Sequence, residues 1–160
     1  STLYICWAAQ AGLYHFYDIP KYPLPKKMFG IFPTIPLKPE QSLFRGFDDV
    51  FRMPQSRHTE VRREDIEQVD DLEVIAESEE SGVSIVRSRS RREFFITGHL
   101  EYAPDTLDTE YRRDLGKRDD VEVPKYYYRE DNPDKGPLVT WRSHANLLFM
   151  NWVNWVLGGK

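Results

Sequence analysis

The chain has 160 residues, of which 40% are apolar, 30% charged and 14% aromatic; these are the proportions of a folded globular protein with a sizeable core, not of a disordered or fibrous one. A net charge of −4 supplies no general attraction to nucleic acid, and no apolar run reaches the roughly 18 residues of a membrane span, so neither nucleic acid nor membrane is an expected partner. With one cysteine there can be no internal disulfide, and no signal segment is recognisable, so the expected compartment is the reducing cytoplasm.

The default is one domain over 1–160. It opens on Ser1-Thr2 directly before an apolar strand, residues 2–6, that runs into Cys6. Parallel sheets need several strands and crossovers, so if this strand is central its neighbours should lie upstream, and the chain reads as a fragment. Residues 7–17 are rich in small and apolar residues on more than one face and read as a buried helix ending before Asp18-Ile19-Pro20. After a proline-rich crossing, residues 28–37 are β-prone but broken by Pro33 and Pro36, which predicts an edge strand or irregular hairpin arm rather than a central strand. A short strand follows at 47–53 and feeds a polar stretch, 54–60, of the kind that builds sites at strand ends.

A short helix is expected at 61–69, then strands at 72–76 and 83–86 around the Ser81-Gly82 turn. The basic exit 87–92 precedes an apolar strand, 93–97, that delivers Gly98-His99-Leu100-Glu101. Residues 105–117 form an amphipathic helix with Leu107, Tyr111 and Leu115 on one face and Asp105 or Thr106 as cap. Residues 118–137, with three prolines and the Tyr126-Tyr127-Tyr128 triplet, read as a long loop. A closing helix over 141–157 is apolar nearly all round, which predicts burial on two sides. The alternation of strands and helices favours an α/β sheet.

Cys6, at the junction of a buried strand and a helix, has the form of a nucleophile elbow, where the helix N-terminus favours a thiolate. A lone cysteine ending an apolar strand is also a common core residue. His99 and Glu101, spaced i and i+2, share one face of an extended chain, and a histidine that activates a thiol needs such a carboxylate. The competing reading is a loop histidine beside a solvated glutamate. For the basic run the simpler reading is a solvated turn, with a role near coenzyme A phosphates as the minor one. His15, His58 and His144 lack metal-ligand spacing, so no metal site is expected. The tyrosine triplet and the tryptophan-rich last helix read as packing or subunit interface.

Six motifs, Cys6-Trp7-Ala8-Ala9-Gln10-Ala11, Lys27-Met28-Phe29-Gly30, Arg45-Gly46-Phe47-Asp48-Asp49, Ser56-Arg57, Thr97-Gly98-His99-Leu100-Glu101-Tyr102 and the run from Trp141 to Phe149, occur in order. Together they resemble the C-terminal part of the homoserine O-acyltransferase family of methionine biosynthesis. The resemblance implies an α/β flavodoxin-like sheet similar to that of class I glutamine amidotransferases, lacking its N-terminal strands. It implies Cys6 as acyl-thioester nucleophile, His99 as general base and acid, Glu101 as its orienting carboxylate, and Lys27, Ser56 and Arg113 as substrate-binding groups. Read locally, those last three are half of a solvated lysine pair, an ordinary loop serine and one arginine on a charged helix face.

Activity would then be ping-pong acyl transfer from acyl-CoA, a co-substrate rather than a bound cofactor, to L-homoserine, with the backbone N–H of Trp7 as an oxyanion donor. Succinyl is favoured over acetyl from the family's usual name, and a homodimer is implied for the full-length protein. A glutaminase-like hydrolase using the same triad, or an inactive fragment, are the alternatives. Two departures from the family pattern stand out: Leu100 where many members carry proline, and an ending at Gly158-Gly159-Lys160 where relatives continue into a tyrosine-rich tail.

Overall fold

The computed structural model describes residues 1–118 and 120–158; Gly159 and Lys160, part of the divergent C-terminus, lie outside them. β1 (Thr2–Ile5) leads into α1 (Trp7–Tyr17), followed by the long pair β2 (Tyr22–Pro36) and β3 (Phe51–Glu60). The short α2 (Arg63–Ile66) precedes β4 (Leu72–Ser78), β5 (Gly82–Ser88) and β6 (Glu93–Ile96); α3 (Thr106–Leu115) and α4 (Arg142–Val156) complete the order. The strands form one mixed α/β sheet, β1-β6-β5-β4-β2-β3, in which β1–β6 is parallel and the other described pairings are antiparallel.

The central strands carry short apolar runs, Val74-Ile75-Ala76, Ile85-Val86 and Phe94-Phe95-Ile96, because both of their faces are covered. Alternation sends Ile85, Phe94 and Ile96 to the side packed by α3 and α4, where Leu107, Trp141 and Leu148 are buried. Val86 and Phe95 point to the other side, against Ala9 and Leu13 of α1 and Ile66 of α2. Asp71, just before β4, clips this second layer to the sheet. Its carboxylate accepts from Tyr17 Oη at 3.0 Å, Ser88 Oγ at 2.7 Å and the Ser90 N–H at 2.7 Å.

Several expectations are corrected. The segment from 28 to 37 is neither irregular nor at the edge: β2 is a 15-residue strand inserted between β3 and β4. It pairs with β4 only at Ile35 and Pro36, so most of its length has one edge free of a strand ladder, which is how it accommodates its prolines. Part of that free edge is closed by Lys125, whose N–H and carbonyl bond Phe29 O and the Ile31 N–H. Gly30 permits this approach: at φ 144 a Cβ would collide with the Lys125 backbone. The polar stretch 54–60 is not a loop but the second half of β3, and the helix expected over 61–69 shrinks to one turn.

The two apolar helices are each buried on one face only. In α1 the buried residues are Ala9, Gln10, Gly12 and Leu13, while Trp7 and Tyr14 are exposed. In α4 they are Ala145, Leu148 and Asn151, while Met150 and Val153 face outward. Leu115 is exposed rather than sharing the buried face of Leu107 and Tyr111, and Asp105 occupies the cap of α3 without a side-chain capping bond. β1 is the edge of the sheet among the described residues, as the reading of the chain as a fragment lacking N-terminal strands allows. The basic run is the solvated turn expected of it, with residues 89–92 exposed between β5 and β6; Arg87 bonds Gln41, and from the surface Arg89 bonds Asp70 O and Arg92 bonds Trp155 O. Tyr127 and Tyr128 are core residues of the segment read as a loop, which also contains two single 3₁₀ turns.

Candidate active site

Parallel pairing brings the carboxyl ends of β1 and β6 together. Ile5 is in register with Ile96, and the Cys6 N–H extends the ladder to Ile96 O at 2.7 Å. Cys6 itself sits at φ 51 and ψ −113 at the N-terminus of α1, a backbone conformation that costs a non-glycine residue about 1–3 kcal/mol. The strain turns the chain from strand to helix in one residue. It leaves the sulfur beside the first-turn N–H groups of Trp7, Ala8 and Ala9, which have no partner within the helix.

Past the end of β6, Thr97 is pinned by its hydroxyl to Val83 O at 2.8 Å and its N–H to Ser84 O at 3.0 Å. Gly98 then lets the turn lie flat on β3, because a Cβ there would come within 2.6 Å of the Met53 side chain and Pro54 O. The His99 N–H bonds Pro54 O at 2.8 Å. With its backbone so held, His99 places Nδ1 2.7 Å from Glu101 Oε1, which leaves Nε2 for its hydrogen bond with Cys6. Burial opposes a charge on this imidazole, but the hydrogen bonds and negative charges of Cys6 and Glu101 outweigh it and push the group up to about 9. The arrangement sets the His99 imidazole between the Cys6 side chain and the Glu101 carboxylate. Leu100, the departure from the family pattern, is buried in the core and leaves both functional groups in contact.

The second half of the site forms around a residue that the sequence reading did not single out. Glu110 of α3 accepts from Ser56 Oγ at 2.8 and 2.9 Å and from Lys27 Nζ at 2.7 Å, with Arg113 Nη2 at 3.7 Å. Lys27 and Ser56 come from adjacent antiparallel strands, where Ser56 is in register with Phe29, and α3 lays Glu110 and Arg113 across them at spacing i, i+3. Lys27 also reaches Asp114 at 3.4 Å and lies 3.9 Å above the Phe29 ring. Arg113 has Asp114 as its closer partner, at 2.8 Å, and its side chain is 55% exposed, so it borders the cluster from the solvent side.

Tyr102 joins the two halves. Its ring stacks on His99 with centroids 4.1 Å apart, and with Glu110 and Arg113 it lines a groove of about 410 Å³. Burial, then the charges of Glu110, Cys6 and Glu101, push its hydroxyl far above the ordinary tyrosine range, so it remains a neutral donor. Thus Cys6, His99, Glu101, Lys27, Ser56 and Arg113 converge, and the Trp7 N–H is at the elbow although its side chain is exposed. Glu110 and Tyr102 were visible in sequence only as one acid on a charged helix and one residue after the His-x-Glu pair.

A family model described as homoserine O-succinyltransferase matches residues 1–159. A homoserine O-acetyltransferase of Bacteroides thetaiotaomicron is 65% identical over 97% of this chain and 51% of its own length, and one of Brevibacillus brevis is 59% identical over 97% and 51%. The chain therefore spans about half the length of the curated relatives it matches. Among solved structures, a glutamine amidotransferase of Thermotoga maritima superposes with a TM-score of 0.65 at 14% identity, over 97% of this chain and 61% of that one. Another, from Methylobacillus flagellatus, gives 0.65 at 12% identity over 99% and 63%, so the sheet is of the glutamine amidotransferase type.

Proposed function

The chain belongs to the homoserine O-succinyltransferase family, and from that premise we propose that it transfers an acyl group from acyl-CoA to the γ-hydroxyl of L-homoserine through a thioester on Cys6. The observation that carries this reading is the placement of His99 between Cys6 and Glu101 at the joined ends of two parallel strands. In the first half-reaction the Cys6 thiolate attacks the thioester carbonyl, and the oxyanion is met by first-turn N–H groups including that of Trp7. The carbon–sulfur bond to coenzyme A breaks, and the leaving thiolate takes the proton of the His99 imidazolium.

In the second half-reaction the now neutral His99 accepts the proton of the homoserine hydroxyl as its oxygen attacks the acyl-enzyme. Cys6 leaves as thiolate, the O-acyl ester departs, and the imidazolium is restored with Glu101 still holding Nδ1. Homoserine is a zwitterion, and the Glu110 cluster has a group for each of its charges: Glu110 for the ammonium, Lys27 and Arg113 for the carboxylate, and the Ser56 hydroxyl beside them. The neutral Tyr102 hydroxyl borders the path between cluster and sulfur.

The donor is read as a co-substrate that no bound cofactor assists. The family's name favours succinyl, as the sequence reading did, whereas the names of relatives at 59–65% identity favour acetyl. Acetyl-CoA and succinyl-CoA are therefore compared directly, with acetyl-CoA first because those relatives are the nearer comparison. The reading extends to a homodimer in the cytoplasm: among the described residues no helix is long and apolar enough to cross a membrane. The outward Met150, Val153 and Leu157 near the end of the chain supply an apolar surface for a second subunit.

Radioactive acyl-CoA is expected to label the native protein stoichiometrically, to leave Cys6→Ala unlabelled, and to yield O-acylhomoserine when homoserine is added. Stoichiometric labelling of Cys6→Ala overturns the assignment. A second reading, hydrolysis of glutamine by the same three groups, is motivated by the fold likeness alone. Ammonia released from glutamine without ester formation from homoserine would favour it.

A further inference from the structure

Among the described residues Arg57 is the only charged side chain that is buried, at 5% exposure. Its guanidinium donates to Gln55 Oε1 at 3.0 Å, to Thr59 O at 2.7 Å and to Ser81 O, and no carboxylate of the described residues pairs with it. All three partners are neutral. Isolating a cation in a core is costly, and the same neighbourhood holds Gln55 Nε2 and Ser81 Oγ, both buried with no hydrogen-bond partner among the described residues. A core built for stability alone would carry apolar side chains here.

Strand alternation puts Gln55, Arg57 and Thr59 on one face of β3, opposite to the face that carries Ser56 to the Glu110 cluster. That face meets the first turn of α1. Thr59 Oγ1 donates to Gln10 Oε1 at 2.5 Å, Gln10 Nε2 donates to Thr59 O at 3.1 Å, and the Gln10 N–H closes onto Cys6 O at 3.2 Å. Gln10 is 3% exposed, so this tie is sealed from water. A hydrogen-bonded path thus runs from the guanidinium through Thr59 and Gln10 to the backbone of the elbow. Burial holds Arg57 below its ordinary range, and the charges that work against that burial are Glu60 and Cys6.

We propose that Arg57 is a positioning residue for Cys6: through Thr59 and Gln10 it fixes the first turn of α1 beneath the sulfur, and its charge, to which no carboxylate is hydrogen-bonded among the described residues, favours the thiolate. The inference rests on Cys6 as the nucleophile of the proposed reaction. The charged and titratable groups around the sulfur are then His99 and Glu101 from the β6 turn, Tyr102 after them, and Arg57 and Glu60 from β3. Arg57 is the one cation among them that does not exchange a proton during the reaction.

The test is alkylation of the full chain by iodoacetamide, for which Cys6 is the only thiol, across the pH range in Arg57→Gln, Arg57→Lys and Gln10→Leu, with folding followed by circular dichroism. In Arg57→Gln the rate at about pH 7 is expected to fall on the order of tenfold and to recover at about pH 10, while Arg57→Lys keeps the native profile. In Gln10→Leu the charge stays and both side-chain bonds to Thr59 are lost, so kcat for acyl transfer is expected to fall about tenfold at unchanged KM. A folded Arg57→Gln with the native alkylation profile overturns the proposal. If Arg57→Gln does not fold, Gln10→Leu decides, and a native kcat overturns it. Alkylation needs neither acyl-CoA nor homoserine, so a protein that makes no O-acylhomoserine would defeat the proposed function and leave the Arg57 result readable.

Discussion

At His99 two effects oppose each other, and their balance sets the resting state of the site. Desolvation favours the neutral ring, while Cys6 and Glu101 favour the imidazolium and prevail, to about 9. The folded-state value is raised, so the stabilisation is fully present below the unfolded value of roughly 6.5 and is lost as pH rises through about 9. Histidine NMR on the native protein is expected to show this resonance titrating near 9, and Cys6→Ala or Glu101→Gln to move it down toward roughly 6.5. A ring that titrates near 6.5 in the native protein would contradict the ion pair. Glu110 separates binding from chemistry. Glu110→Gln is expected to raise KM for homoserine by at least about tenfold while acyl labelling of Cys6 by acyl-CoA proceeds as before. Lost labelling would instead place Glu110 in the first half-reaction. The triad was legible in sequence because its members flank strand ends in short patterns, Cys6-Trp7 and His99-Leu100-Glu101. Glu110, Arg57 and Gln10 were not, because Glu110 and Gln10 act through partners 54 and 49 positions away and Arg57 acts through Thr59 and Gln10 in turn, and nothing local distinguishes a hub carboxylate from a solvated one.

Among the elements, β4, β5, β6 and α3 fall close to where periodicity put them, since short apolar runs with clear turns specify both type and extent. β2 and β3 were misread for the same reason in two forms. Proline and polar residues speak against a central strand only if both edges are laddered, and β2 pairs with β3 up to Thr34 and with β4 only at Ile35 and Pro36. In β3 the polar side chains face opposite layers of the site, Ser56 toward α3 and Thr59 toward α1, so a polar strand is what the site requires. Asp71 provides an element-scale test. Burial acts to raise its carboxyl, but hydrogen bonds from Ser88, Ser90 and Tyr17 hold it down at about 2. Its contribution is present above the unfolded value of roughly 3.9 and is lost as pH falls through about 2. Denaturant melts are expected to show native stability falling across that acid window, with Asp71→Asn less stable near neutrality and showing less of this acid-dependent loss. Parallel curves for the two proteins would remove Asp71 as the clip between α1 and the sheet.

For the whole molecule, the mixed sheet makes protection from exchange a property of position. Amides of β5 and β6, paired on both sides and covered on both faces, are expected to exchange slowest. β1, paired only with β6 among the described residues, is expected to exchange faster, and residues 120–126 faster still. If β1 proved the most protected strand, the edge position would not describe it in solution. That measurement bears on the site directly, because the sulfur stands at the end of β1. By itself the sequence determined the class of the fold, the family, and which cysteine, histidine and carboxylate stand at the strand ends, because apolar runs, tight turns and short motifs are local and survive in one dimension. Only the tertiary structure decided that β2 lies inside the sheet, that Glu110 collects Lys27, Ser56 and Arg113, and that a buried arginine backs the elbow. Those facts depend on register between strands and on the layer a side chain enters, and both arise from contacts between residues far apart in the chain.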